Sequence, residues 1–89
     1  MKEVLSEAIE KWGVNANLWV FMEEIGELTK EISKAIRYKP NYDRISEEVA
    51  DVEIAIELVK IIFNLDQKRI EEIKRHKIER LMKRLEGLE

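Results

Sequence analysis

The sequence predicts an all-α protein of four helices, a bundle-like subunit whose core is completed by association with further copies of the chain. Three observations carry this. Apolar residues recur at the 3.6-residue period of a helix and nowhere alternate as a strand requires. Only three Gly and one Pro interrupt 89 residues, so breakers are few and the segments between them long. The third segment is apolar over most of its circumference, which demands cover on nearly all sides. One domain, residues 1–89, is expected, and a chain this short buries only about 60 to 65% of its unfolded surface, so its own core is thin.

The first helix is expected over Lys2–Trp12, ending at Gly13, a residue suited to positive φ after a helix. The second runs from Ala16 to Tyr38, with Asn15 as its cap and Pro40 forcing the chain out soon afterwards. The third spans Arg44 to Phe63 behind a cap at Asp43, and the fourth spans Gln67 to Glu86 behind Asp66, closing at Gly87. No repeat, low-complexity tract or linker divides the chain.

Composition narrows the function. The net charge is -3, and nucleic-acid binding rests on a basic surface that neutralises phosphates, so a nucleic-acid polymer is not the expected ligand. The charge is unevenly placed: residues 1–66 carry 8 basic and 14 acidic side chains, residues 67–89 carry 8 and 5. There is no cysteine, hence neither a disulfide framework nor a thiolate metal site. Every apolar run is broken by a charge well before the 18 or so residues a membrane span needs. A soluble, cytoplasmic protein without a membrane partner is the expectation.

On a helical wheel, Ile45, Val49, Val52, Ile56, Val59 and Phe63 form an expected core stripe of the third helix. Beside it, Glu48 and Asp51 head a row continued by Ala55, Leu58 and Ile62. The second helix repeats the pattern: Leu18, Phe21, Ile25, Leu28, Ile32 and Ile36 make the stripe, and Glu24, Glu27 and Glu31 run along its edge. If the two helices pack antiparallel across the turn at Pro40, the acidic pairs converge. Clustered carboxylates resist burial unless a cation compensates them. A hard divalent ion such as Mg2+ suits an all-oxygen site and is commonly shared with substrate phosphates. The competing reading is an acidic surface paired with Lys30, Lys34 or the basic tail. A di-iron carboxylate bundle needs Glu-x-x-His on two helices, and the only histidine, His76, follows Ile73 at that spacing.

The fourth helix carries Ile70, Ile73, Leu81 and Leu88 on one stripe, with Lys77 in its middle and Arg80 at its edge. Such cations either snorkel to water or, as a point charge and a planar fork, bind a di- or triphosphate.

Three segments together, Glu23-Glu24-Ile25-Gly26-Glu27-Leu28, Glu47-Glu48-Val49-Ala50-Asp51-Val52 and Lys77-Ile78-Glu79-Arg80-Leu81, resemble the MazG-like all-α nucleoside triphosphate pyrophosphohydrolases, whose mark is Glu-x-x-Glu, a spacer, then Glu-x-x-Asp. The resemblance implies that Glu24, Glu27, Glu48 and Asp51 ligate Mg2+, with Mn2+ as a substitute, and that Lys77 and Arg80 contact phosphate. It implies hydrolysis between the α and β phosphates of a ribo- or deoxyribonucleoside triphosphate, with Glu24 or Glu27 orienting or deprotonating the water. It further implies a homodimer or dimer of dimers. Asn17 stands seven residues before Glu24, where many relatives carry Asn or Gln, and Trp19 is the aromatic residue proposed to stack on the base. Some relatives place an aromatic residue one turn after the Asp, where this chain has Ala55. The alternative of another class is a non-catalytic helical dimerisation or regulatory module.

Overall fold

The computed structural model of the protein describes residues 1–87. Four helices follow one another: α1 (Lys2–Trp12), α2 (Val14–Arg37), α3 (Tyr42–Ile62) and α4 (Gln67–Leu85). Leu88, assigned by periodicity to the stripe of the fourth helix, lies outside the described residues.

Two expected caps are displaced by two residues. Gly13 takes φ 89° and ψ 165°, a conformation open to glycine alone, and it both ends α1 and starts α2 at Val14. Asn15 therefore lies inside α2 and caps nothing. Asn41, not Asp43, caps α3: its side chain accepts the backbone N–H of Arg44 at 3.1 Å. Asp43 then falls in the first turn, where its charge complements the helix dipole. Asp66 caps α4 as expected, accepting from Lys68 N–H at 3.0 Å, and Gly87 has φ 75° behind the end of that helix.

α2 and α3 form an antiparallel hairpin, so that Arg44 lies beside Glu31 and Asp51 beside Glu24. α1 packs across both, and α4 packs against none of the three. A compact chain of this length has a radius of gyration of about 12 Å; the observed 16.5 Å reflects a fourth helix that leaves the bundle. No helix among the described residues is long and apolar enough to cross a membrane.

The core is small and follows the apolar stripes only in part. Among the described residues the buried apolar ones are Leu5, Val52, Ala55 and Leu58, of which Val52 belongs to the expected stripe of the third helix. Of the expected stripe residues, Ile36 is 80% exposed and Phe63 57%, and Ile25, Ile32, Val49 and Ile56 are also open to solvent. The seam between α2 and α3 instead runs along the rows that contain carboxylates: Glu31 and Glu48 are buried beside Val52, Ala55 and Leu58, and Glu24 is half-buried.

Candidate metal centre

The geometry of the seam follows from helix periodicity. Glu24 and Glu31 are seven residues apart and so share one face of α2; Glu48, Val52 and Ala55 share one face of α3 by the same rule. The antiparallel hairpin brings these faces together. Glu24, Glu48 and Asp51 each offer one carboxylate oxygen, and the three atoms lie within 4.8 Å of one another. Glu24 and Asp51 line a cleft of about 150 Å3 together with Val20, Ile54, Ala55 and Leu58. Glu24 and Glu48 sit at the seam, while Asp51 is exposed at its rim.

Glu48 is the central residue. It is only 3% exposed, one oxygen, Oε1, pairs with Arg44 Nη2 at 3.1 Å, and the other, Oε2, is buried with no hydrogen-bond partner. An unpartnered buried carboxylate oxygen is costly; beside two further carboxylates it is the kind of atom that a bound cation satisfies. The carboxyl of Glu24 holds its proton more tightly than an ordinary Glu, first because burial disfavours its charge, then because Asp51 and Glu48 repel it and Asp51 shares a hydrogen bond with it. Three hard oxygen donors fit a divalent ion such as Mg2+, which takes few carboxylates and keeps its remaining sites for water or phosphate.

The expected fourth ligand stands apart from this group. The Glu27 carboxylate lies 4.0 Å from Arg44 Nη2, the nitrogen that also meets Glu48. Arg44 also meets Glu31 through Nε at 3.8 Å and Glu47 through Nη1 at 3.2 Å, so one cation spans carboxylates from both helices. Its guanidinium is held charged all the more firmly, chiefly by the charge of Glu48 and then by the hydrogen bond to Glu47, against some desolvation. Glu31 is further paired with Lys34 at 3.5 Å, one of the lysines in the competing surface-pair reading. Sequence reasoning missed Arg44, although its four-residue spacing from Glu48 was a readable signal of an ion pair on one helix face.

The remaining candidates lie elsewhere. Asn17 is buried, and its amide donates to the carbonyls of Ala8 at 3.2 Å and Gly13 at 2.7 Å, which ties the corner between α1 and α2. Trp19 is 68% exposed; two residues from both Asn17 and Phe21, it faces away from the seam, beside Asn15, Leu18 and Met22. Lys77 and Arg80 are exposed on α4, the helix that packs against none of the others. A larger cleft, about 690 Å3, lies near the N-terminus and the α3–α4 corner, lined among others by Lys2, Leu5, Glu57, Lys60 and Leu65. Its Lys60 and Glu57 pair with each other at 2.9 Å, and the cluster of carboxylates able to share a cation lies instead at the smaller acidic cleft. Comparison of the chain with protein-family models, with curated proteins and with solved structures finds no match.

Proposed function

We propose that the chain is a Mg2+-dependent nucleoside triphosphate pyrophosphohydrolase, acting on ribo- or deoxyribonucleoside triphosphates to give the monophosphate and pyrophosphate. The observation that carries this reading is the buried, unpartnered Oε2 of Glu48 beside the carboxylates of Glu24 and Asp51. These three residues would hold Mg2+, or Mn2+ in its place. When bound, such an ion supplies charge neutralisation for phosphate oxygens and acidifies water at neutral pH.

The chain's own residues supply the rest. Glu24, with its raised proton affinity, would take a proton from water more readily than an ordinary carboxylate. Glu27, paired with Arg44, is the alternative base. Lys77 and Arg80 are the proposed phosphate contacts. Because α4 stands away from the bundle, these two cations reach an acidic cleft when copies of the chain associate, as a homodimer or dimer of dimers. The exposed Ile36, Phe63 and Leu85 support such association, since large apolar side chains in one small chain call for a partner surface. Trp19 is the proposed base contact, and Asn17 supports the corner from which α2 departs.

The test is pyrophosphate release from a panel of ribo- and deoxyribonucleoside triphosphates, with Mg2+ and with excess chelator. Release that stops on chelation and in Asp51→Asn is the expected result. The separation of Lys77 and Arg80 from the acidic cluster favours a second reading, a non-catalytic helical dimerisation or regulatory module. Absence of release from every nucleotide by a folded oligomer would select it.

A further inference from the structure

The two oxygens of the Glu48 carboxylate have different surroundings, and one arginine makes the difference. The terminal torsion of a glutamate is broad and roughly two-fold, so an unrestrained carboxylate turns its oxygens freely. Here Oε1 is 3.1 Å from Arg44 Nη2, and Oε2 is left buried without a partner. Arg44 is itself held: Nη1 meets Glu47 at 3.2 Å and Nε meets Glu31 at 3.8 Å, so its plane is fixed from both helices.

We propose that Arg44 is the positioning residue of the cation site, pinning one oxygen of Glu48 so that the other is presented with Glu24 and Asp51 to a divalent ion. The inference rests on the cation-site reading given above. It makes an unusual claim about sign. A fixed positive charge near a cation site repels the ion, so on charge alone the loss of Arg44 tightens divalent binding. Positioning predicts the reverse, because groups that orient a ligand are worth roughly 10- to 100-fold in metal affinity. Arginine suits the role through its rigid planar fork, which lysine lacks, and it stays charged across the whole working pH range.

The experiment is Mn2+ titration of chelator-treated protein, with free Mn2+ read by electron paramagnetic resonance and folding checked by circular dichroism. The proteins are wild type, Arg44→Gln, Arg44→Lys, Glu31→Gln and Asp51→Asn. Arg44→Gln is expected to bind Mn2+ about tenfold more weakly or worse. Arg44→Lys, which restores the charge without the fork, recovers only part of that loss. Glu31→Gln removes the tie from α2 that helps fix the plane of Arg44 and is expected to weaken Mn2+ binding, though less than Arg44→Gln does. Unchanged or tighter binding in Arg44→Gln overturns the proposal, as does full recovery in Arg44→Lys. Should Arg44→Gln not fold, the weakening in Arg44→Lys decides alone. If wild type binds no Mn2+, or Asp51→Asn binds it as tightly as wild type, the cation site itself is refuted and the proposal falls with it. Normal Asp51-dependent binding with an indifferent Arg44 refutes the positioning role only.

Discussion

Asp51→Asn should move stability in opposite directions with and without metal. In the metal-free protein, the Asp51 carboxylate faces those of Glu24 and Glu48 with oxygens no more than 4.8 Å apart. Because Asp51 is exposed, the dielectric of water is the appropriate scale, and each pair at 4.8 Å repels by about 0.9 kcal/mol before screening. Two pairs, partly screened by salt, leave about 1 to 2 kcal/mol that the amide relieves. In a domain of this size that raises Tm by at least about 4 °C. With Mg2+ at roughly 100 times its Kd, wild type gains about 2.7 kcal/mol, which the variant largely forgoes, so the order of the two proteins reverses. The assay is thermal unfolding followed by circular dichroism at low ionic strength, once in chelator and once in Mg2+. A variant that melts below wild type in chelator would show that Asp51 is not in a repulsive cluster. One that keeps the full Mg2+-dependent rise would show that it is not a ligand.

Glu48→Gln should behave differently from Asp51→Asn in chelator, because Glu48 is buried and paired with Arg44 at 3.1 Å; replacing the carboxylate by an amide turns a charge-assisted bond into a neutral one and lowers Tm by about 4 °C or more, the shift of roughly 1 kcal/mol, and a melt at or above wild type would contradict the pairing. Lys77→Ala should raise KM for the triphosphate with little change in kcat, since it removes binding common to ground and transition states; an unchanged KM takes Lys77 out of the site. For Glu24 the sign follows from its raised proton affinity in the folded state: the native protein binds the proton more tightly than the unfolded chain, so this group's contribution to stability is present at low pH and lost as pH rises through the raised value. In chelator, Glu24→Gln should therefore gain stability relative to wild type as pH increases above the ordinary glutamate range, and a difference that is flat with pH would show that Glu24 is not crowded.

Helix content was legible because the breakers are few and unambiguous. Gly13, Pro40 and Gly87 mark three boundaries within three residues of where the helices stop. The caps were harder, since both misplacements come from a choice between neighbouring residues of similar chemistry. Asn15 lost to Gly13 because a glycine at φ 89° turns the chain within one residue; Asp43 lost to Asn41 because the latter reaches the N–H of Arg44. The convergence of Glu24, Glu48 and Asp51 could be read from spacing plus an antiparallel hairpin. The position of Glu27 could not, because it depends on the long side chain of Arg44 lying between helices, and such a reach leaves no periodic trace. Likewise, the wheel assigns the core to the most apolar stripe, whereas the seam follows whichever rows the partner helix covers, and here those rows hold Glu31 and Glu48.

The charge balance of that seam bears on why it is built this way. Replacing a buried ion pair with apolar side chains is often neutral or stabilising, and the row headed by Glu48 already continues as the buried Ala55 and Leu58. A bundle selected for packing alone would extend that row. Instead two glutamates are buried, a third is half-buried and protonates more readily than usual, and the cations that reach them, Arg44 and Lys34, stand on the side of Glu31. Arg44 touches Glu48 on one oxygen, and among the described residues no basic side chain forms an ion pair with Glu24 or Asp51. The arrangement is thus compensated from within on one side and left negative on the other. A divalent cation would complete it under the proposed reading, and that asymmetry is what separates such a site from a salt-bridged helix face, where each carboxylate would have its own lysine or arginine.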